Sequence, residues 1–247
     1  MADWFENESF WIQLYPFVFS EARLHVAEEQ VDDILQLVNV KGSAVLDLCC
    51  GAARHAIPLA RRGYQVTAVD RTSFLLERAA EKARAEGVDI EWVKQDMRTF
   101  VRPGAFDFVL NMFTSFGYFD SDTEDLKVLS HIHESLKPGG VCLLDMMGKE
   151  CLAMMLEPTR SEATADGSIL VQRCEVFDGW HRVHNEWILI KDGEAQSFEF
   201  NLTLYSGYEL KGLMREAGFE DVALYGDLKG GAYDFQAERL VAVGRKA

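Results

Sequence analysis

An α/β fold built on a mostly parallel, doubly wound sheet is predicted by three features of the chain. Short apolar runs alternate with helical patterns from residue 20 to residue 146, the first run closes on small residues around Gly51, and Asp70 ends the next run. Strands separated by helices pair in parallel through right-handed crossovers, and open sheets of that kind bind ligands beyond the carboxyl ends of their strands.

Ser20 is placed to cap a helix in which Leu24, Ala27, Val31, Ile34, Leu35 and Val38 recur every three or four residues, and residues 39–43 end it. Ala44 to Cys49 reads as a strand, followed by a tight turn and a helix reaching Arg62 and Gly63. The alternation continues with strand Gln65 to Asp70, then a helix from about Ser73 through Leu76, Ala79, Ala80 and Ala83 that stops at Gly87. Strands Ile90 to Gln95 and Phe106 to Asn111 follow. Leu126, Leu129, Ile132 and Leu136 mark the next helix, and residues 137–140 (Lys-Pro-Gly-Gly) turn the chain into strand Val141 to Met146.

Beyond Pro158 the pattern becomes β-rich. Ser168 to Phe177, His181 to Ile190 and Ala195 to Tyr205 are joined by hairpin signals at Asp178-Gly179 and at Lys191-Asp192-Gly193. They predict an antiparallel three-stranded insertion; the alternative is that these strands extend the main sheet. Ser206 and Glu209 spell a capping box for a helix ending at Gly218, and Asp221 to Tyr225 and Arg239 to Val243 close the fold as two further strands. Without internal repeats or linkers, residues 1–247 read as one domain. Its parts are an N-terminal segment and helix (1–39), a core (40–148), the insertion (159–205) and a C-terminal helix with the last two strands (206–247). Trp4, Phe5, Phe10, Trp11, Tyr15, Phe17 and Phe19 crowd the first 19 residues, a density that predicts folding back over another part of the molecule.

Lys and Arg number 25 against 40 Asp and Glu, a net charge of -15 that repels phosphate backbones and anionic lipid. With no basic cluster, nucleic acid and membrane are excluded as partners. Acids rather than bases follow Met1, and no apolar run approaches the ~20 residues of a membrane span, so a cytoplasmic protein is expected. Cys49, Cys50, Cys142, Cys151 and Cys174 lack C-x-x-C spacing and read as buried thiols. His131 with His133, and His181 with His184, are spaced to face apart, so no metal site is expected. Hydrolase and P-loop motifs are absent.

The chemistry-bearing segment runs from Asp47 through Cys49, Cys50, Gly51, Ala52 and Ala53 to Arg54 and His55, where a strand ends and a helix begins. Small residues let backbone amides approach a ligand, and the helix start adds partial positive charge. Asp70 can accept both hydroxyls of a ribose, cap the helix that follows, or do both. His55 opens the helix either as a ligand contact or as a surface residue. A dinucleotide loop wants glycine at the positions of Cys49, Gly51 and Arg54, and Asp47 would repel a diphosphate. A ligand with ribose, adenine, an ammonium and a sulfonium offers that carboxylate positive charge instead. The loop therefore suits S-adenosylmethionine better than NAD.

These residues resemble motifs of the class I S-adenosylmethionine-dependent methyltransferases over nearly the whole chain. Residues 47–53 (Asp-Leu-Cys-Cys-Gly-Ala-Ala) resemble the family's D-x-G-x-G-x-G loop, with Cys49 and Ala53 in place of two glycines, and Val69-Asp70 resembles its ribose acid. Gln95-Asp96-Met97 resembles the adenine segment, and residues 106–111 and 136–140 resemble the fourth- and fifth-strand signatures. The resemblance implies a Rossmann-like, seven-stranded sheet in the order 3-2-1-4-5-7-6 and S-adenosyl-L-methionine as cofactor, leaving S-adenosyl-L-homocysteine.

It further implies cofactor contacts from Asp47, Cys49, Gly51, Asp70, Arg71, Asp96, Met97, Asn111 and Phe113. Asp96 would take the adenine amino group and the Met97 amide a ring nitrogen. Within the family the chain is similar to small-molecule N- or O-methyltransferases, where Tyr15 and Arg23 would lie near the cofactor carboxylate; an exposed Arg23 is the plain alternative. Phe116, Tyr118, Arg173, Trp180, Arg182, Tyr205 and Tyr208 would line the acceptor pocket under the insertion as a lid. Tyr118 is the candidate catalytic residue, to hydrogen-bond or deprotonate a nucleophile, with plain packing as its alternative. A small-molecule methyl acceptor is the expected partner. An NAD-dependent oxidoreductase and a non-catalytic S-adenosylmethionine-binding protein are the rival readings.

Overall fold

The computed structural model describes residues 3–164 and 166–247; Met1, Ala2 and Ala165, which fall in the expected N-terminal segment and insertion, lie outside the described residues. A single 3-10 turn, Trp4–Glu6, leads into α1 (Glu8–Val18), α2 (Glu21–His25) and α3 (Ala27–Val38). The core then runs β1 (Ala44–Leu48), α4 (Ala56–Arg61), β2 (Gln65–Asp70), α5 (Ser73–Ala85), β3 (Glu91–Lys94), β4 (Phe106–Asn111), α6 (Asp122–Ser135) and β5 (Leu136–Met146). After α7 (Lys149–Met155) come β6 (Thr159–Ala163), β7 (Ile169–Phe177), β8 (Arg182–Lys191) and β9 (Glu194–Thr203), then α8 (Gly207–Glu216), β10 (Glu220–Tyr225) and β11 (Leu240–Arg245).

The main sheet has seven strands in the order β10-β11-β5-β4-β1-β2-β3. Read from the other edge, with β11 and β10 as its seventh and sixth strands, this is 3-2-1-4-5-7-6. β1 to β5 pair in parallel, while β11 runs antiparallel to both β5 and β10. Side-chain alternation divides the sheet between two apolar layers. Val45, Val66, Phe108, Leu110 and Leu143 meet α3, α4 and α5, whereas Leu46, Leu48, Val109 and Leu144 meet α6 and α8. Burial on both faces explains why these strands read as continuous apolar runs.

Three local features depart from the sequence reading. The helix expected from Ser20 is broken at Val26 into α2 and α3. β5 begins at Leu136 because residues 137–140 bulge between the Phe106–Leu136 and Phe108–Val141 pairs, with Gly139 at φ +77°. The insertion has four strands rather than three and forms its own antiparallel sheet, β6-β7-β8-β9. Every residue of β6 is exposed, so it carried no apolar alternation to read.

The inner face of that second sheet, through Leu170, Leu189, Phe198 and Phe200, packs on Phe10, Leu14 and Phe17 of α1. Its end is stitched to the loop after β4: Thr203 donates its amide to the Gly117 carbonyl (2.7 Å) and its hydroxyl to the Phe119 carbonyl (3.0 Å). No helix among the described residues is long and apolar enough to cross a membrane.

Where the insertion rejoins the core, Tyr205 donates its hydroxyl to Asp125 at 2.7 Å, both side chains being buried. Burial raises the Asp125 carboxyl to about 7 against the opposing Tyr205 bond. Tyr205→Phe is expected to cost about 1.5–3 kcal/mol at pH 8, where that bond is to a charged group. Because the charge is lost as pH falls through about 7, the cost should shrink at pH 6, as denaturant melts at the two pH values will show.

Candidate functional site

A crevice opens beyond the carboxyl ends of β1, β2 and β4. Its floor is the turn after β1. There Cys49, Gly51 and Ala53 take φ values of +63°, +53° and +61°. Such a conformation costs a non-glycine residue roughly 1–3 kcal/mol, and Cys49 and Ala53 stand where the motif has glycine. Hydrogen bonds hold it: the Cys50 amide to the Val69 carbonyl (3.0 Å), the Ala53 amide to the Cys50 carbonyl (2.9 Å), and the Gly51 amide to Asp70 Oδ2 (2.9 Å). A Cβ on Gly51 would lie 2.9 Å from the Phe19 ring, so close approach as well as φ demands glycine there.

Asp70 also takes the Thr72 amide on Oδ1 (2.8 Å), so it both fixes the turn and holds the start of α5. Burial raises its carboxyl while these backbone amides oppose the rise. Asp47, buried beside it, differs in kind: its Oδ2 has no hydrogen-bond partner among the described residues. Burial pushes the Asp47 carboxyl up to about 7, partly offset by the charge of Arg54. Burial likewise pushes the thiols of Cys49 and Cys50 up and His55 down, and the His55 Nε2 pairs with Gln30 (3.1 Å).

On the β3 side, Met97 packs its sulfur 3.4 Å from that of Cys49. Asp96 is at the crevice wall, but its oxygens are taken by the Arg98 amide (2.8 Å), the Arg98 guanidinium (2.7 Å) and Arg71 (3.3 Å). Burial alone would raise Asp96, yet these bonds and charges hold it below its ordinary value. Its carboxylate has little accepting capacity left for an adenine amino group. Arg71 reaches on to Glu6 (2.6 Å), tying the N-terminal turn to this edge.

On the β4 side, Phe113 and Thr114 sit at φ +61° and +63°, pinned by Asp145 at the end of β5. The Asp145 side chain accepts the Phe113 amide (2.9 Å) and the Arg239 guanidinium (2.7 and 3.0 Å), and its carbonyl accepts the Thr114 amide (2.9 Å). Phe113 is thereby presented to Arg54 at 4.0 Å, Arg23 at 5.2 Å and Arg239 at 5.4 Å from its ring centre. Tyr118 completes the wall, its ring tilted against that of Trp4 with centroids 4.7 Å apart. Burial pushes its hydroxyl well above the ordinary value, so it keeps its proton at neutral pH. Phe5, Trp11 and Phe19 cover the crevice, which gives the aromatic N-terminal segment its place.

Of the residues the sequence singled out, Asp47, Cys49, Gly51, Asp70, Arg71, Asp96, Met97, Phe113 and Tyr118 come together around this space. The others do not line it. Tyr15 packs on Phe19 and Phe74, and Arg23 donates to the Val18 carbonyl (3.3 Å). Asn111 is buried behind the wall, donating to the Leu48 carbonyl (3.0 Å), and Phe116 is core beside Tyr205.

Arg173 pairs with Glu186 on the insertion, Arg182 anchors Asp120 and the Phe119 carbonyl, and Tyr205 holds Asp125. Trp180 is partly exposed and Tyr208 is 88% exposed. The physical reason is that α1 already occupies the insertion's inner face, so the crevice is covered by the N-terminal segment instead. Sequence reasoning placed Arg54 in the chemistry-bearing turn without giving it a role, and missed Arg239 and Asp145. Arg54 had one visible signal, a charged residue directly after the small-residue turn.

S-Adenosylmethionine, the cofactor implied by the motifs, fits what is here. The orphaned Asp47 oxygen seeks a donor or a positive charge, and Asp70 keeps accepting capacity beside its two amides.

A methyltransferase-domain family model matches residues 45–140. A protein of Geobacillus sp. (strain WCH70), provisionally named a methyltransferase, is 26% identical over 98% of this chain and 99% of its own length. The glycine/sarcosine N-methyltransferase of Halorhodospira halochloris is 24% identical over 89% of this chain and 82% of its own. Among solved structures, an S-adenosylmethionine-dependent methyltransferase from Clostridium acetobutylicum ATCC 824 superposes with a TM-score of 0.79 over 97% of this chain and 98% of that one. At 16% identity it speaks for the fold.

Two outcomes follow from the floor of the crevice. Asp47 holds a proton in the folded protein up to about pH 7 that the unfolded chain releases near its ordinary value. Folded stability from this group therefore falls as pH rises toward 7, and Asp47→Asn should gain on the wild type between pH 5 and pH 8 in thermal melts. Asp70→Ala strands two buried amides, so it should lower ligand-free stability by about 2 kcal/mol or more, besides any effect on binding.

Proposed function

We propose that the chain is a class I S-adenosylmethionine-dependent methyltransferase and that it transfers a methyl group from S-adenosylmethionine to the nitrogen of a small-molecule amine, a reading supported by the methyltransferase-domain match and the methyltransferase relatives. The observation that carries the cofactor reading is the buried, unpartnered Asp47 oxygen on the crevice floor. Burial pushes this carboxyl up to about 7, and in its ionised form it favours a ligand bearing ammonium and sulfonium charge and disfavours a diphosphate. The bound cofactor would supply an electrophilic methyl on sulfur.

The chain's own part is then chiefly to bind, orient and keep out water. Asp70 would hold the ribose with the lone pairs its two amides leave free, and Asp47 the positive charge. Phe113 and Tyr118 form part of the crevice wall and Phe5, Trp11 and Phe19 line it from the N-terminal segment, so these side chains would keep water from a bound cofactor. Tyr118 keeps its proton, so it serves as a hydrogen-bond partner that positions the acceptor rather than as a base. His55, pushed down and engaged with Gln30, is a weak base too. An acceptor that brings its own lone pair suits such a site better than an alcohol, which would need deprotonation. The glycine/sarcosine N-methyltransferase relative supports that choice. The net charge of -15 favours a small molecule over nucleic acid, and five unpaired cysteines suit the cytoplasm.

Incubation with methyl-labelled S-adenosylmethionine and a panel of small amines and alcohols tests the proposal. Label should appear in an amine product with formation of S-adenosylhomocysteine; label in alcohols alone would overturn the nitrogen assignment, and cofactor binding without turnover on any acceptor would favour a binding protein. Tyr118→Phe should lower turnover by about tenfold, the effect of one lost transition-state hydrogen bond, while leaving cofactor affinity within about twofold.

A further inference from the structure

We propose that the methyl acceptor is an anion, an amine that also carries a carboxylate, and that a rim of arginines around Phe113 selects it. The proposal rests on the methyltransferase reading above and names the chemical class of the acceptor.

On a chain of net charge -15, positive charge gathers beside the crevice at Phe113. Phe113 lines the crevice with its ring 39% exposed, on a left-handed backbone (φ +61°) that Asp145 pins. Strain of this kind persists where the surroundings hold a side chain in one place. The guanidinium groups of Arg54, Arg23 and Arg239 lie 4.0, 5.2 and 5.4 Å from the ring centre. Arg54 stands just before α4, Arg23 within α2 and Arg239 just before β11, so three distant parts of the chain converge on one ring. Arg54 feels both of the others as like charges. Bringing like charges together costs free energy unless a charge of opposite sign meets them.

The nearby carboxylates do not balance the rim. Asp145 is taken by Arg239 through both oxygens (2.7 and 3.0 Å). Arg23 feels Glu162 and Arg160, both on β6, whose charges oppose each other. Asp47, the other carboxylate that Arg54 feels, is assigned above to the positive charge of the cofactor.

S-Adenosylmethionine brings one carboxylate against an ammonium and a sulfonium, so it adds net positive charge to the crevice. Whichever arginine its carboxylate meets, the rim keeps positive charge that only the second ligand, the acceptor, can answer. A guanidinium takes a carboxylate through two parallel bonds, and the Phe113 ring beside it offers an apolar face to the acceptor's carbon skeleton. A local positive rim on so acidic a protein also steers anions toward the crevice.

Calorimetric titration of protein saturated with S-adenosylhomocysteine tests the rim without requiring turnover. The probes are pairs that differ in charge: phenylacetate against phenylacetamide, and N-acetylglycine against N-acetylglycinamide. The wild type should bind each carboxylate at least about tenfold tighter than its amide, the effect of one charge-assisted contact. In Arg54→Gln and in Arg23→Gln that ratio should fall by about threefold or more, whereas Arg54→Lys and Arg23→Lys should keep most of it. A general loss of folded protein lowers both members of a pair and leaves the ratio unmoved. A ratio near one in the wild type overturns the proposal, and so does an unchanged ratio in both glutamine variants. A carboxylate preference present without S-adenosylhomocysteine but abolished by it also overturns the proposal, because the arginines would then serve the cofactor alone. Wild-type protein that binds no S-adenosylhomocysteine overturns the cofactor reading itself, whereas the other outcomes leave that reading standing.

Discussion

The bond from the Gly51 amide to the Asp70 carboxylate, 2.9 Å long, joins the ends of β1 and β2 at the point where the sheet opens. With its other oxygen Asp70 holds the Thr72 amide at the start of α5, so one side chain sets the turn, the helix and the spacing between them. The turn itself is unfavourable for this sequence, since Cys49 and Ala53 stand in the left-handed region where glycine would be relaxed. Each such residue costs an amount comparable with one or two buried hydrogen bonds, and three such bonds are what hold the segment. The crevice thus depends on a carboxylate that would also be its ribose acceptor, coupling ligand binding to local stability.

Electrostatics then divides the crevice. Toward β3, Asp96 is saturated by Arg98 and Arg71, and Arg71 draws in Glu6, so charge there fastens the N-terminal turn. At the floor, Asp47 is buried with one carboxylate oxygen unpartnered among the described residues. Satisfied groups make wall, whereas unsatisfied ones are where a ligand can return the cost of burial. The aromatic cover keeps water from doing so cheaply and strengthens any charge interaction beneath it.

Most of the core was legible because its strands are buried on both faces and its helices show one apolar stripe. Asp47, Gly51 and Asp70 could be read because acids and small residues at strand ends have few reasons to be there. The order of the strands came from resemblance to a family, as periodicity carries no information on which strand neighbours which. β6 escaped because Thr159 to Ala163 are all exposed. The acceptor-side residues escaped for a different reason: whether Trp180, Arg182 or Tyr205 meets the crevice depends on where α1 packs, a contact between the N-terminus and the insertion. Arg54 was seen in the turn but not its setting, because the Phe113 ring it lies against comes from far away in the chain.

Equilibrium binding of the wild-type protein to S-adenosylmethionine, set against NAD under the same conditions, tests the central claim most directly. Saturable one-to-one binding of the sulfonium ligand, displaced by S-adenosylhomocysteine and with no response to NAD, is the predicted result. Tighter binding of NAD, or no binding of S-adenosylmethionine at millimolar concentration, would contradict it.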